Sequence, residues 1–257
     1  MISKIRQLFN SARLNYISRK RKKILSGQID KNKVEHLFKT VNCDYKWYGG
    51  SYGGFYINPS LLTSDSIVYS FGIGKDVSFD KTCIKKHKCR IFAFDPTPKS
   101  IDYIQNQVPS NLFTFFDFGI TDTESGVIDF YLPVNPNGVS GSLVKTNDVN
   151  PNNTIKVKMK TFDDIVRELR HKHIDVIKMD IEGSEYAVLE EILASEIKVD
   201  QLLIEFHDRL FDQENYKSKK IVKKMNENGY EVFASSSTYE EVSFIHKRKL
   251  HINGIKE

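Results

Sequence analysis

Two short stretches concentrate the ionisable groups of this chain just after apolar runs. Residues 174–185, IDVIKMDIEGSE, carry Asp180, Glu182 and Glu185, and residues 202–208, LLIEFHD, carry Glu205, His207 and Asp208. The alternation of a strand puts Lys178, Asp180 and Glu182 on one side of the first stretch and Glu205 and His207 on one side of the second. If the two are neighbouring parallel strands, their acids and imidazole meet at the carboxyl edge of a sheet, where open α/β sheets bind ligands. Such a cluster suits removal of a proton from a hydroxyl as its oxygen attacks an electrophile. His207 and Asp180 are the leading base candidates, and Glu182 is the third catalytic candidate. Other roles stay open: a structural part for His207, a helix cap for Glu182, and a divalent cation held by the same oxygens to activate a diol. The metal-free reading is preferred.

A second site precedes them. Val68–Asp76, VYSFGIGKD, reads as a strand running into a Gly-x-Gly turn that opens a helix. Gly72 and Gly74 there would let the backbone approach a ligand closely and adopt dihedrals closed to other residues. Alone such a turn is weak evidence, because any α/β protein can use one simply to turn. The next apolar run, Arg90–Asp95, ends about twenty residues on in Asp95, where a ribose-binding carboxylate belongs. Asp95 can also cap the helix that follows Pro96 and Pro98. A nicotinamide cofactor and S-adenosylmethionine both fit this geometry. The third glycine of the dinucleotide fingerprint is missing, and Asp76 at the helix start would repel a pyrophosphate while accepting the amino group of a methionine moiety. The balance moves to S-adenosylmethionine.

The elements that must position these residues follow from hydrophobic periodicity. Strands are predicted near 66–71, 90–95, 112–116, 174–180 and 199–205, with helices near 77–87, 98–107, 161–171, 184–194 and 214–228 between them. Thr161 and Ser184 are available as N-caps, and Gly229 marks a helix end. Alternation in Tyr230–Phe233 and Val242–His246 suggests two antiparallel strands closing one edge. Residues 118–160 break the pattern and read as an inserted hairpin-like element, with strands at Val127–Leu132 and Ile155–Met159.

With 257 residues, 40% hydrophobic and 12% aromatic, the chain can bury a full core, so one domain plus an N-terminal extension is expected, divided at residues 1–40 and 41–257. The net charge of +5 is unevenly placed: residues 1–40 carry +9 and the remainder −4. The basic character belongs to the arm, so nucleic-acid binding by the main body is not expected. Ile2, Ile5, Phe9, Ala12 and Tyr16 recur at helical steps among the basic residues of 1–25, which predicts a basic amphipathic helix. It would lie on an anionic membrane or pack on its own domain or a partner. Cys43, Cys83 and Cys89 show no metal-ligand spacing and are odd in number, which excludes a disulfide framework. With no membrane span or signal peptide legible, a soluble, cytoplasmic protein is expected, peripheral to the inner membrane face if the arm binds lipid.

The chain resembles the FkbM-type methyltransferases over roughly residues 45–246. Tyr48-Gly49-Gly50, Tyr52-Gly53-Gly54-Phe55, Pro59, VYSFGIGKDVSFD at 68–80, FAFDPTP at 92–98 and IDVIKMDIEGSEYAVL at 174–189 carry the resemblance, in family order. It implies a Rossmann-like class I methyltransferase fold: a mostly parallel seven-stranded sheet with helices on both faces and an antiparallel C-terminal edge. It also implies S-adenosylmethionine bound around Gly72, Gly74 and Asp95, with transfer to oxygen. The preferred acceptor is a hydroxyl of a sugar, glycoconjugate or secondary metabolite. Where the common class I pattern has an acid, two residues before the first glycine, Ser70 stands here, and Asp76 can take over its role. By position in that fold, Asp117, Gly119 and Ile120 should lie beside the adenine, Asp180 should face the cofactor, and 138–142 should cover the acceptor. Tyr48 and the segment to Gly54 form either a lid over the cofactor or a glycine-rich surface turn. The alternatives are a nicotinamide-dependent oxidoreductase, for which no Tyr-x-x-x-Lys helix is present, and a non-catalytic nucleoside-binding scaffold in a glycan-assembly complex.

Overall fold

The computed structural model of the protein describes residues 2–107, 110–135, 141–146, 148–211 and 216–250, with only the backbone described for 2–11 and 14. Helix α1 (Ile2–Ser26) leads into a short hairpin of β1 (Lys46–Tyr48) and β2 (Phe55–Ile57). The α/β alternation then runs β3 (Ile67–Phe71), α2 (Ser78–His87), β4 (Arg90–Phe94), α3 (Pro98–Gln105) and β5 (Phe113–Phe116). After it come β6 (Gly119–Ile120), β7 (Gly126–Pro133) and β8 (Val149–Lys160), then α4 (Phe162–Leu169), β9 (His173–Met179), α5 (Glu185–Ala194) and β10 (Lys198–Glu205). The chain closes with α6 (Lys217–Glu227), β11 (Tyr230–Ser235) and β12 (Glu241–His246).

The central sheet has seven strands in the order β5-β4-β3-β9-β10-β12-β11. Strands β5, β4, β3, β9 and β10 are parallel, and β12 inserts antiparallel between β10 and β11. This is the mostly parallel sheet with an antiparallel C-terminal edge expected of the class I methyltransferase fold. Such strands need apolar residues on both faces, and β9 supplies them with Ile174, Val176, Ile177 and Met179 at 0% exposure. One core cluster joins β3 and β9 to α4, α5 and α6, and a second joins them to α2 and the hairpin, so each face of the sheet is covered. On the first face Phe71, Phe94 and Phe116 stack in a ladder, with centroid spacings of 4.7 and 5.0 Å. Each such pair is worth about 0.5–1.5 kcal/mol beyond its burial.

Strands β6, β7 and β8 form a separate three-stranded sheet, the inserted element, with β7 and β8 as an antiparallel pair. Of the two expected caps, the Thr161 side chain accepts from Asp164 N at 3.2 Å, but Ser184 makes no cap hydrogen bond because its backbone is already helical. Gly229 ends α6 with φ of +83°, as expected.

Helix α1 departs from the amphipathic expectation over its described side chains. Ser18 is buried, whereas Tyr16, Ile17 and Ile24 are exposed. The helix docks through polar groups: Asn15 Oδ1 accepts from Ser51 N at 2.6 Å, Ser18 Oγ donates to Ser51 O at 2.6 Å, and Arg21 and Lys22 pair with Glu240 and Glu241. Val34 and Leu37, in the stretch assigned to the extension, are buried in the main core, and Thr40 N donates to Val232 O of β11 at 2.8 Å. Among the described residues no helix is long and apolar enough to cross a membrane.

At the amino-terminal edge of the sheet, His173 Nε2 lies 2.9 Å from Asp200 Oδ2, and Asp200 is also held by Arg248 at 2.9 Å and Lys249 at 2.8 Å. The hydrogen bond to Asp200 raises the His173 pKa above its ordinary 6.5 against the opposing effect of burial, with Asp175 helping and Lys249 opposing. Because the folded value lies above the unfolded one, the stabilisation is fully present below about 6.5 and is lost as pH rises through the raised value. The urea midpoint of H173Q is therefore expected to fall below that of the parent at pH 5.5 and to converge with it at pH 9. A gap that widens with pH would contradict this.

Candidate active site

The carboxyl ends of β3, β4 and β9 are drawn together by the turn that follows β3. Gly72 N donates to Phe94 O at 3.0 Å, and Asp180 N donates to Phe71 O at 3.1 Å. The strands approach so closely that a Cβ on Gly72, whose φ is +70°, would stand 1.7 Å from the Asp180 carbonyl oxygen. Only glycine fits there. From beneath, the buried Lys178 ammonium donates to Gly72 O at 2.8 Å, in register opposite Ser70. Asp80, in the first turn of α2, adds a buried carboxyl; burial raises its pKa, and the charge of Lys178 opposes the rise.

Asp95 closes the turn from the β4 side. Its Oδ2 accepts from Gly74 N at 2.9 Å, and its Oδ1 accepts from Thr97 N at 2.9 Å and Thr97 Oγ1 at 2.6 Å. Asp95 thus turns the chain onto Thr97, the residue at the N-cap position of α3, and does not itself cap the helix, which has no side-chain cap hydrogen bond. Asp76 Oδ1 accepts from Ser78 N at 2.7 Å at the start of α2.

These groups border one cleft at the carboxyl edge of the sheet. Gly72, Gly74, Asp76, Asp95, Gly119, Ile120, Asp180 and Glu182 all line it, as expected from the sequence. Tyr52 and Gly53 cover one side, while Phe130, Leu143 and Met159 of the inserted element and the loop beside it give an apolar wall opposite. Gly119 packs closely under Met159: a Cβ there would meet its Sδ at 2.7 Å and displace the flexible end of that side chain.

Two expected cofactor contacts lie elsewhere. Tyr48 is buried with its hydroxyl 2.8 Å from His87 Nε2, facing α2 rather than the cleft. The segment does reach the cleft, but with Tyr52 and Gly53, because the chain turns at Gly49 (φ +91°) after β1. Asp117 is a half-exposed carboxylate 3.2 Å from Lys158 Nζ of β8, drawn outward by that ion pair and absent from the cleft lining. Of the acceptor cover at 138–142, residues 138–140 lie outside the described residues, Gly141 lines the cleft, and Ser142 Oγ donates to Glu182 O at 2.6 Å.

The acids of β9 and β10 converge on one imidazole. His207 is fully buried; its Nδ1 lies 3.2 Å from Glu185 Oε1, which also accepts from His207 N at 2.9 Å. Its Nε2 lies 3.4 Å from Glu182, 3.6 Å from Asp180 and 3.7 Å from Glu205. Burial alone would lower the imidazole pKa, but the charge and hydrogen bond of Glu185, followed by Glu182 and Glu205, outweigh it and the value is pushed up to about 10. Unless a metal ion displaces it, a proton is held on His207 by these carboxylates at neutral pH, so the ring is not poised as a base. It is also out of reach of the cleft. The base role expected of His207 therefore passes to a carboxylate, and Asp180, which lines the cleft, is placed for it.

Glu185 and Tyr52 are the site residues the sequence reading missed. Glu185 has 0% exposure and binds Gly183 N at 2.8 Å as well as His207. A third acid directly after Asp180-x-Glu182-Gly183-Ser184 was the available signal. Burial, then Asp180, Glu182 and Glu205, raise the pKa of the Tyr52 hydroxyl, which stays protonated and able to donate.

A family model described as Methyltransferase FkbM domain matches residues 48–232. No curated protein sequence matches the chain. Among solved structures, Aeropyrum pernix fibrillarin in complex with natively bound S-adenosyl-L-methionine is similar at 10% identity with a TM-score of 0.38, over 72% of this chain and 66% of that one. Precorrin-6y C5,15-methyltransferase from Geobacter metallireducens GS-15 is similar at 15% identity with a TM-score of 0.35, over 73% of this chain and 82% of that one.

Proposed function

The chain belongs to the FkbM methyltransferase family, and from that premise we propose that it is an S-adenosylmethionine-dependent O-methyltransferase acting on a hydroxyl of a sugar, glycoconjugate or secondary metabolite. The observation that carries the reading is Asp95: a buried carboxylate at the end of β4, tied to Gly74 N and pointing into the cleft that the Gly72–Gly74 turn opens. Its Oδ1 is filled by Thr97 N and Thr97 Oγ1, and its Oδ2, which accepts only from Gly74 N, keeps an acceptor site for a ribose hydroxyl.

The residues present fit the cofactor. Glycines at 53, 72, 74 and 119 line the cleft, so backbone rather than side chain borders it there. Ile120, Phe130 and Met159 offer an apolar wall to a purine, and Asp76 offers a negative charge to an amino group. Bound S-adenosylmethionine supplies a methyl group on cationic sulfur, which an oxygen nucleophile takes by in-line displacement while the C–S bond breaks and its electron pair stays on sulfur.

The chain itself provides placement and proton handling. Asp180 and Glu182 present carboxylates at the cleft mouth, where one can accept the acceptor hydroxyl's proton. Tyr52 can donate to an acceptor oxygen from the covering segment. Holding the two reactants in line supplies much of the acceleration, since the donor is already activated.

The experiment is incubation of the full chain with methyl-labelled S-adenosylmethionine and a panel of hydroxylated sugars and glycolipids. The expected product carries label in an ether resistant to mild base. Label only on carboxylates or amines would replace the oxygen-directed reading, and no transfer to any member of the panel would leave that acceptor class without support.

A further inference from the structure

We propose that the carboxylate cage around His207 is a divalent metal site, with Asp180, Glu205 and His207 as ligands to an ion of the Mn²⁺ type. One ligand atom from each of the three lies within 4.8 Å of the others. His207 Nε2 stands 3.6 Å from Asp180 Oδ1 and 3.7 Å from Glu205 Oε1. Those spacings are too long for hydrogen bonds, which run to about 3.2 Å. At about 2.1 Å from a common centre, ligands stand about 3.0 Å apart when adjacent and about 4.2 Å apart when opposite, so a small side-chain shift would bring these atoms onto one ion.

The independent observation is His207 Nε2 itself. It is fully buried, makes no hydrogen bond, and is aimed at the two acids. The ring is held for this task by Glu185 at Nδ1, and Glu185 is fixed in turn by Gly183 N and His207 N. A carboxylate behind a histidine, with the far nitrogen presented forward, is how metal-binding imidazoles are oriented.

Charge points the same way. Four carboxylates, those of Asp180, Glu182, Glu185 and Glu205, face one imidazole, and the Arg209 guanidinium, whose pKa, against the effect of burial, is raised by Glu240, Glu205, Glu182 and Asp180, adds a second positive charge further out. Arg209 is 3.9 Å from Glu182 and closer, at 3.3 Å, to Glu240. The other acidic cluster, His173, Asp175 and Asp200, differs here, because Arg248 and Lys249 already neutralise Asp200. One imidazole nitrogen with carboxylate oxygens and no thiolate favours a cation of intermediate hardness, between Mg²⁺ and Zn²⁺ in preference. Asp180 lines the cleft, so an ion held there leaves a coordination position for an acceptor hydroxyl. That last consequence rests on the methyl-transfer reading; the binding of the ion does not.

The test titrates Mn²⁺ into the chelator-stripped full chain and follows loss of the free-ion signal by electron paramagnetic resonance, without cofactor. One tightly held ion per chain is expected. D180N, a change at a partly exposed side chain that leaves the core intact, and H207A should each weaken the site about tenfold or more, while D200N leaves it unchanged. Circular dichroism of the same samples shows that the variants are folded, and calorimetry of the parent chain with S-adenosylmethionine separates the two readings: cofactor binding without ion binding overturns only the metal site, and ion binding without cofactor binding overturns only the methyl-transfer reading. The proposal fails if the parent chain leaves millimolar Mn²⁺ free, or if D180N and H207A both hold it as well as the parent.

Discussion

Replacing Gly72 by alanine is expected to lower the unfolding free energy by about 3–5 kcal/mol. The left-handed backbone of Gly72, at φ +70°, costs an L-residue about 1–2 kcal/mol. The new methyl group would lie 1.7 Å from the Asp180 carbonyl oxygen and 2.7 Å from its carbon. Those are backbone atoms, so no rotamer relieves the clash, and forcing apart β3 and β9 adds about 1–3 kcal/mol or more. The same substitution at Gly126 provides the control: its added Cβ meets nothing within 4 Å, and its effect should stay within about 0.5 kcal/mol. Urea unfolding of the two variants decides the matter. Equal midpoints would mean that the close approach of the strand ends is not a constraint on the fold.

Asp95→Ala is expected to weaken S-adenosylmethionine binding at least about a hundredfold, or about 2.7 kcal/mol. Hydrogen bonds to a charged acceptor are worth about 1.5–3 kcal/mol each, and Asp95 offers the cleft a carboxylate that is already oriented by Gly74 N and Thr97. The truncation also strands those two donors, so the turn loosens as the ligand contact disappears. Asp95→Asn keeps an acceptor in place and should fall in between. Titration calorimetry reads both variants, and an Asp95→Ala affinity within threefold of the parent would remove this residue from the cofactor site.

The parts legible in the sequence were those in which the local pattern and the tertiary outcome coincide. The runs at 66–71, 90–95 and 174–180 are apolar because both faces of a parallel strand are covered, so their ends, and with them Gly72, Asp95 and Asp180, could be located within a residue. The hairpin of β1 and β2 was not legible as strands: three residues each are too few for a period, and its glycines suggested only a turn. Tyr48 and Tyr52 stand in near-identical Tyr-Gly-Gly contexts, and only the turn at Gly49 decides that the second one faces the cleft. Asp117 failed for a related reason, because its direction is set by Lys158 of β8, forty-one residues away in the chain. For α1, helical spacing left a membrane surface and packing on the domain or a partner both open, and Asn15, Ser18, Arg21 and Lys22 dock the helix through partners at residues 51, 240 and 241 that no local window contains. His207 illustrates the limit of residue type as a guide. An imidazole beside acids reads as a base, but four surrounding carboxylates make it a cation or a ligand instead.

The central claim is that the Gly72–Gly74 turn and Asp95 together hold an adenosyl group with its sulfur directed at Asp180. A crystal structure of the full chain with S-adenosylhomocysteine tests this most directly. The predicted result places a ribose hydroxyl within hydrogen-bonding distance of Asp95 Oδ2, the adenine against Ile120, and the sulfur on the Asp180 side of the cleft. Ligand density that leaves Asp95 uncontacted, or a cleft that stays empty at saturating ligand, would contradict it.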